Sequence, residues 1–208
     1  QILIGAGCDE TMPMPFLAPG DLENAGLSST AISISNPLVQ EESLLRTSLM
    51  PGQLKIISYN QSHRIKKLKF FEIGHVYLPS EDNQLLPDER EYLSISIAGG
   101  DATEIVAILD MISLTMAFPN MQLKQHEIEG LHPGRSAQVF VAGQERGAVG
   151  EIDPRVLRNY GIDDSVAWLE LDLGSILAGP FGKKKYTSVS KYPSSDIDLA
   201  FEVPDDTS

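Results

Sequence analysis

A proline-led helical run followed by a long apolar strand constrains this chain more than any other stretch. It extends from Ser35 to Tyr77. It opens on Ser35-Asn36-Pro37-Leu38 and continues as Glu42-Ser43-Leu44-Leu45-Arg46-Thr47-Ser48-Leu49-Met50-Pro51-Gly52. A helical segment then reaches Asn60, and a strand runs Lys69-Phe70-Phe71-Glu72-Ile73-Gly74-His75-Val76-Tyr77. Asn36-Pro37 holds the backbone out of the α region. Pro51 suits a first helical turn, where its missing N–H costs nothing. Leu54 and Ile57 then share one helical face, with Ile56 and Tyr59 beside them. In the strand, Phe71, Ile73 and Tyr77 point one way and Phe70, Glu72 and Val76 the other. The connecting turn, Arg64-Ile65-Lys66-Lys67, is basic.

The rest of the chain adds strands and a few helices. Residues 1–7 read as the last turn of a helix, stopped by Gly5 and Gly7. Thr11 to Ala18 is a strand-like run broken by Pro13 and Pro15, and residues 19–30 read as a polar loop. Ala31 to Ser35 alternates as a strand. Pro79 to Glu91 is an acidic loop whose spacing does not match a calcium-binding loop, so it reads as solvated surface. Tyr92 to Ala98 alternates cleanly. Asp101 with Glu104 forms a capping-box start, and Ile105, Ile108, Leu109, Ile112 and Met116 mark one face of the following helix. Met111 and Leu114 fall off that face, which predicts a helix buried on two sides.

Met121 to Glu129 is a weak strand, and His132 to Ala137 reads as a turn. Gln138–Ala142 and Arg146–Ile152 are the arms of a hairpin turning at Gly143-Gln144-Glu145. Gly147 and Gly150 in its second arm predict a close backbone approach. Asp153-Pro154 opens a short helix ended by Gly161. Val166 to Leu173 is a strand with Ala167, Leu169 and Leu171 on one side, and Gly174 to Ala178 is one helical turn. Hairpins without regular βαβ units point to an α+β fold, an antiparallel β-sheet flanked by helices.

Four blocks in this order, N-P-L, L-L-R-T-S-L-x-P-G-x-L, Y-N and F-F-E-I-G-x-V-Y, resemble the core module of the bacterial phenylalanyl-tRNA synthetase beta subunit. The resemblance implies a class II aminoacyl-tRNA synthetase catalytic-domain-like fold that does not itself catalyse. It implies residues 1–190 as the core module. Lys191-Tyr192-Pro193 and Asp196-Ile197-Asp198-Leu199 resemble the link into a C-terminal, ferredoxin-like anticodon-binding domain, which gives 191–208 as linker and first strand. Ile197 stands where the family pattern expects Arg. By the same resemblance the whole enzyme is an (αβ)₂ heterotetramer in the cytoplasm. Its alpha subunit carries the active site, and ATP and Mg²⁺ serve the attachment of phenylalanine to tRNA. The beta core module is expected to pack on alpha, through the helix 103–118 or the segment 44–60, and to be inactive alone.

Composition bounds what remains. At 208 residues the chain can bury one sizeable core. With no initiator Met and an apolar run at each end, it is expected to be a piece of a longer protein. No apolar run approaches the roughly 20 residues that span a bilayer. A net charge of −13 argues against a nucleic-acid-binding surface as the dominant feature. The single cysteine, Cys8, excludes an internal disulfide.

No catalytic, cofactor-binding or metal-binding residue is assigned. The F-R-x-E strand and G-x-G-x-x-R helix start that the resemblance implies for an active synthetase are both missing. Arginines would hold the phosphates there, and they tolerate no substitute. His63, His75, His126 and His132 lack ligand spacing; His75 is expected to be partly buried and satisfied. Asp9 and Glu10 raise the thiol pKa of Cys8, so it is no nucleophile. Two alternatives remain. A stand-alone regulatory paralogue would need Arg46, Arg64 and Arg135 to converge on a pocket. Direct RNA binding would rest on Lys183–Lys185 and the 64–67 turn.

Overall fold

Leu93, Ile95 and Ile97 alternate with Ser94 and Ser96, and the strand they define lies near the middle of a seven-stranded sheet. The computed structural model describes residues 1–28, 30–80, 86–179, 181, 186, 191–192, 197–200 and 202. In chain order these form α1 (Ile2–Gly5), β1 (Asp9–Glu10), β2 (Phe16–Leu17) and α2 (Asp21–Asn24). A 3₁₀ turn (Gln40–Glu42), β3 (Leu44–Leu45), α3 (Met50–Ser62), β4 (Lys69–Leu78) and β5 (Asp88–Ala98) follow. Then come α4 (Ala102–Met116), β6 (Gln122–Gln125), β7 (Leu131–Val141) and β8 (Gln144–Ile152). The described core ends with α5 (Pro154–Asn159), β9 (Val166–Asp172) and α6 (Leu173–Ala178).

The large sheet runs β1-β4-β5-β9-β8-β7-β6. Every neighbouring pair is antiparallel except β1–β4, which is parallel. The expected α+β architecture therefore holds, with a parallel edge that the hairpin pattern could not announce. β2 and β3 make a separate two-stranded ribbon.

Period-2 side-chain alternation sorts the core into two layers. On one face Leu93, Ile95, Ile97, Ala167, Leu169 and Leu171 pack against the α4 stripe Ile105, Ile108, Leu109 and Ile112. On the other face Phe70, Val76 and Trp168 pack against Leu54 and Ile57 of α3 and Val156 and Leu157 of α5. Burying each such side chain contributes about 1.5–3 kcal/mol. α4 is capped by Asp101, whose carboxylate accepts from the Glu104 N–H at 2.9 Å. The Glu104 side chain turns to Lys69 instead of returning to the cap, so the capping box is half formed.

Several expectations are corrected. Leu114 is 82% exposed, so α4 buries one side and not two. The polar loop expected over 19–30 contains α2, whose Asp21 accepts from the Ala18 N–H. The strand expected over 31–35 is reduced to one bridge, Ser33 to Leu44, because the chain turns away at Asn36-Pro37. Residues 132–137 lie inside β7 and not in a turn before it. Pro133 has no N–H to give the ladder, and the register shift between Leu131 and Ser136 absorbs it. The hairpin turns at Ala142-Gly143, both with positive φ (54° and 77°), one residue earlier than expected. Asp88–Glu91 of the expected acidic loop extend β5, and residues 81–85 lie outside the described residues. The 190/191 boundary, the first strand expected after it and Lys183–Lys185 also fall largely outside the described residues.

Candidate functional site

The face of the sheet that meets α3 carries a row of polar residues. Glu72 of β4 sits opposite Ser94 of β5, Ser94 opposite Glu170 of β9, and Glu170 opposite Ala148 of β8. Equal parity in adjacent antiparallel strands places all four on one side. Alternation alone would give such polar positions to solvent, but α3 and the segment before it cover them.

Each polar group finds a partner from that cover. Gln53 of α3, fully buried, donates to Ser94 Oγ at 2.9 Å and accepts from Ser96 Oγ at 2.5 Å. Arg46 is buried and donates from Nη1 to Glu72 Oε1 at 2.6 Å and from Nε to the His75 carbonyl at 2.7 Å. A Cβ on Gly74 would come within 2.4 Å of Arg46 Nη2, so the glycine of Phe71-Glu72-Ile73-Gly74 makes room for the guanidinium. Burial pushes the Glu72 carboxyl above its ordinary range, and the Arg46 charge opposes that shift. Glu170 accepts from the Leu49 N–H at 2.7 Å and from Ser48 Oγ at 3.0 and 3.1 Å.

Beside this row opens a cleft of about 460 Å³. Met50, Leu78, Tyr92, Leu131 and Trp168 supply apolar wall, and Glu129 and Glu170 are its charged residues. Burial pushes the Tyr92 hydroxyl up to about 12 and the Glu170 carboxyl from 4.5 up to about 7. The folded protein therefore holds a proton on Glu170 between those two values that the unfolded chain has released. Stability falls as pH rises through this window, at about 1.4 kcal/mol per unit. Glu170→Gln removes the ionisation and keeps an acceptor for the Leu49 N–H. It is expected to gain on the order of 1–3 kcal/mol over the parent between pH 5 and pH 8. Urea unfolding of both proteins at the two pH values checks this; parallel losses would contradict it.

The residues singled out from sequence do not converge. Arg46 pairs with Glu72 on β4, and Arg135 pairs with Glu151 on β8 at 2.7 Å. Two strands separate β4 from β8, a span of about 14 Å. Arg64 is exposed beyond the end of α3. These three arginines thus do not form the pair that a nucleotide-binding paralogue needs, and that alternative is not favoured. His75 is exposed, not partly buried: it lies beyond Phe71 on the same side of β4, next along from Ile73, itself 45% exposed. His63 stacks on Tyr59 at 4.3 Å, and His132 accepts from the Gly134 N–H. Burial first, then Asp9, raises the Cys8 thiol pKa. Among the described residues no three His, Cys, Asp or Glu side chains converge as a metal site, and no helix is long and apolar enough to cross a membrane.

Sequence reasoning missed Glu170 and Gln53. The signal for Glu170 was present: it is a carboxylate set between Leu169 and Leu171 inside a strand that is apolar from Val166 to Leu169.

The likenesses agree with this geometry. The chain is 32% identical over 219 residues to a phenylalanine–tRNA ligase beta subunit of Clostridium tetani, covering 99% of this chain and 27% of that one. It is 28% identical over 226 residues to the beta subunit of Geobacter metallireducens, covering all of this chain and 28% of that one. It thus spans little more than a quarter of the length of these curated relatives. Among solved structures, a pyrrolysyl-tRNA synthetase from Desulfitobacterium hafniense superposes with a TM-score of 0.68 at 16% identity, covering 85% of this chain and 64% of that one. That likeness shows the fold alone, that of a class II synthetase catalytic domain. A family model described as the phenylalanyl tRNA synthetase beta chain CLM domain matches residues 1–173, and the chain belongs to that family.

Proposed function

We propose that this chain is the non-catalytic, class II-like module of a phenylalanine–tRNA ligase beta subunit. In this role it holds an alpha subunit in shape while that subunit attaches phenylalanine to its tRNA. One observation carries the reading. Arg46, the arginine of the Leu44–Leu49 block, is buried and bonded to Glu72 and to the His75 carbonyl, so it cannot grip a triphosphate. The cleft on the same face supports it: among the described lining residues Glu129 and Glu170 carry charge and none is cationic. A nucleotide there would meet charge of its own sign.

In this reading ATP and Mg²⁺ belong to the alpha subunit and the assembly is an (αβ)₂ heterotetramer in the cytoplasm. Other parts of the whole enzyme bind most of the tRNA. Residues 1–190 act as the module, and 191–208 lead into the anticodon-binding domain. Phenylalanine-dependent exchange of pyrophosphate into ATP tests the division of labour. The chain alone is expected to give none, and the assembled alpha and full-length beta subunits to give it fully. Exchange by the chain alone would overturn the proposal. So would full activity of an assembly whose beta subunit lacks this segment.

A further inference from the structure

The cleft against Glu170 has the volume and lining of a small-molecule site. Such sites run from about 300 to 1,000 Å³, mostly apolar, with a few fixed polar groups that set orientation. Here the volume is about 460 Å³, and the partly exposed Leu27, Leu78, Tyr92 and Ile128 line it with apolar surface. The polar group that orients a guest is Glu170. The Leu49 N–H at 2.7 Å and the Ser48 hydroxyl hold its carboxylate in place. Ser48 Oγ lies within reach of both oxygens, at 3.0 and 3.1 Å, but has one proton to give. Oε1 already takes the Leu49 N–H, so Oε2 keeps acceptor capacity for a donor inside the cleft.

The charge of the lining selects the guest. Glu129 and Glu170 are acidic, and no Lys, Arg or His stands among the described lining residues. A phosphate or a carboxylate would enter an acidic space that offers no counter-charge from its described lining. A metal ion would find too few ligands: no three His, Cys, Asp or Glu converge among the described residues. A primary ammonium fits both constraints, donating to Glu170 while an aromatic or aliphatic body fills the apolar space. Tyr92, a partly exposed residue of the lining, offers a ring beside which a cation is further stabilised.

We infer that this cleft binds a small organic monocation, its ammonium on Glu170 and its apolar body against the partly exposed Leu27, Leu78, Tyr92 and Ile128. The high proton affinity of Glu170 agrees with this, since a desolvated carboxyl lacking a cationic partner takes up a proton instead. The guest class is a monoamine and not an amino acid, whose carboxylate the lining would repel. The site is independent of the role proposed above for the whole subunit.

Calorimetric titration of the chain with phenethylamine, phenethyl alcohol and phenylalanine at pH 8 tests the inference. The amine is expected to bind with a Kd on the order of 0.1–1 mM. The neutral alcohol and the zwitterion are each expected to bind at least about tenfold more weakly. Glu170→Gln should cut amine affinity about tenfold or more and leave the alcohol unchanged. Ala148→Leu, directly opposite Glu170 on the neighbouring strand, should narrow the apolar space and weaken amine and alcohol alike. Circular dichroism establishes that each variant is folded. Equal affinity for amine and alcohol, tighter binding of phenylalanine, or undiminished amine binding by Glu170→Gln would each overturn the assignment. So would the absence of saturable amine binding up to about 10 mM.

Discussion

Arg46→Met is expected to destabilise the protein by about 3–5 kcal/mol, a large share of the roughly 5–15 kcal/mol that holds a domain together. The side chains of Arg46 and Glu72 are only 8% and 3% exposed, and they meet at 2.6 Å. Glu72 Oε2 already has no hydrogen-bond partner. Removing the guanidinium strands the whole carboxylate in a buried layer without a cation. It also leaves the His75 carbonyl without its donor. The pH dependence carries a sign that identifies the cause. Without Arg46 the folded-state pKa of Glu72 rises further, so the deficit is greatest at high pH and shrinks as pH falls and Glu72 takes up a proton. The double variant Arg46→Met/Glu72→Met is expected to recover at least about half of the loss, because an apolar pair of similar volume suits a buried site. Urea unfolding of the three proteins at pH 5.5 and 8 checks all of this. A deficit independent of pH, with no recovery in the double variant, would place the cause elsewhere.

Gly147→Ala is expected to cost more than about 4 kcal/mol or to abolish folding. A Cβ on Gly147 would lie 2.0 Å from the Glu170 carbonyl oxygen and 2.9 Å from Leu171 Cα. Both atoms are backbone of the neighbouring strand, so no side-chain rotation relieves the clash. The backbone there also sits at φ +154°, which an L side chain rarely adopts. β8 would have to leave β9, and Glu170 would move with it. Gly143→Ala, in the hairpin turn, is the internal comparison. Its φ is +77° with nothing within 4 Å, so only the backbone preference is lost, about 1–2 kcal/mol. Thermal unfolding followed by circular dichroism separates the two; equal effects would contradict the close-approach argument.

Much of this fold was legible because its strongest elements obey simple periods. The α3 proline start, the β5 alternation, the α4 stripe and the Asp153-Pro154 helix start are local signals, and they appear where the residues place them. The close approach at Gly147 was legible for the same reason, since a glycine inside a strand marks a neighbour too near for a side chain. What stayed hidden depends on distant pairing. The parallel edge Asp9–Glu10 is too short to carry a period, and only β4 gives it a partner. The β7 segment around Pro133 looked like a turn because a register shift absorbs a proline no ladder could predict. At the site, the two motif blocks were visible as sequence, but their joint purpose was not. Arg46 and Glu72 lie 26 positions apart, and Ser48 and Glu170 lie 122 apart. Only the folded sheet shows that the arginine answers a carboxylate within the protein.

The central claim is that this class II-like fold uses Arg46 internally, so that this arginine offers no grip for a nucleotide. Isothermal titration of the chain with ATP and Mg²⁺ tests it most directly. The account predicts no saturable heat up to millimolar nucleotide. A magnesium-dependent site of micromolar affinity, weakened by Arg46→Met in a variant shown to remain folded, would contradict it.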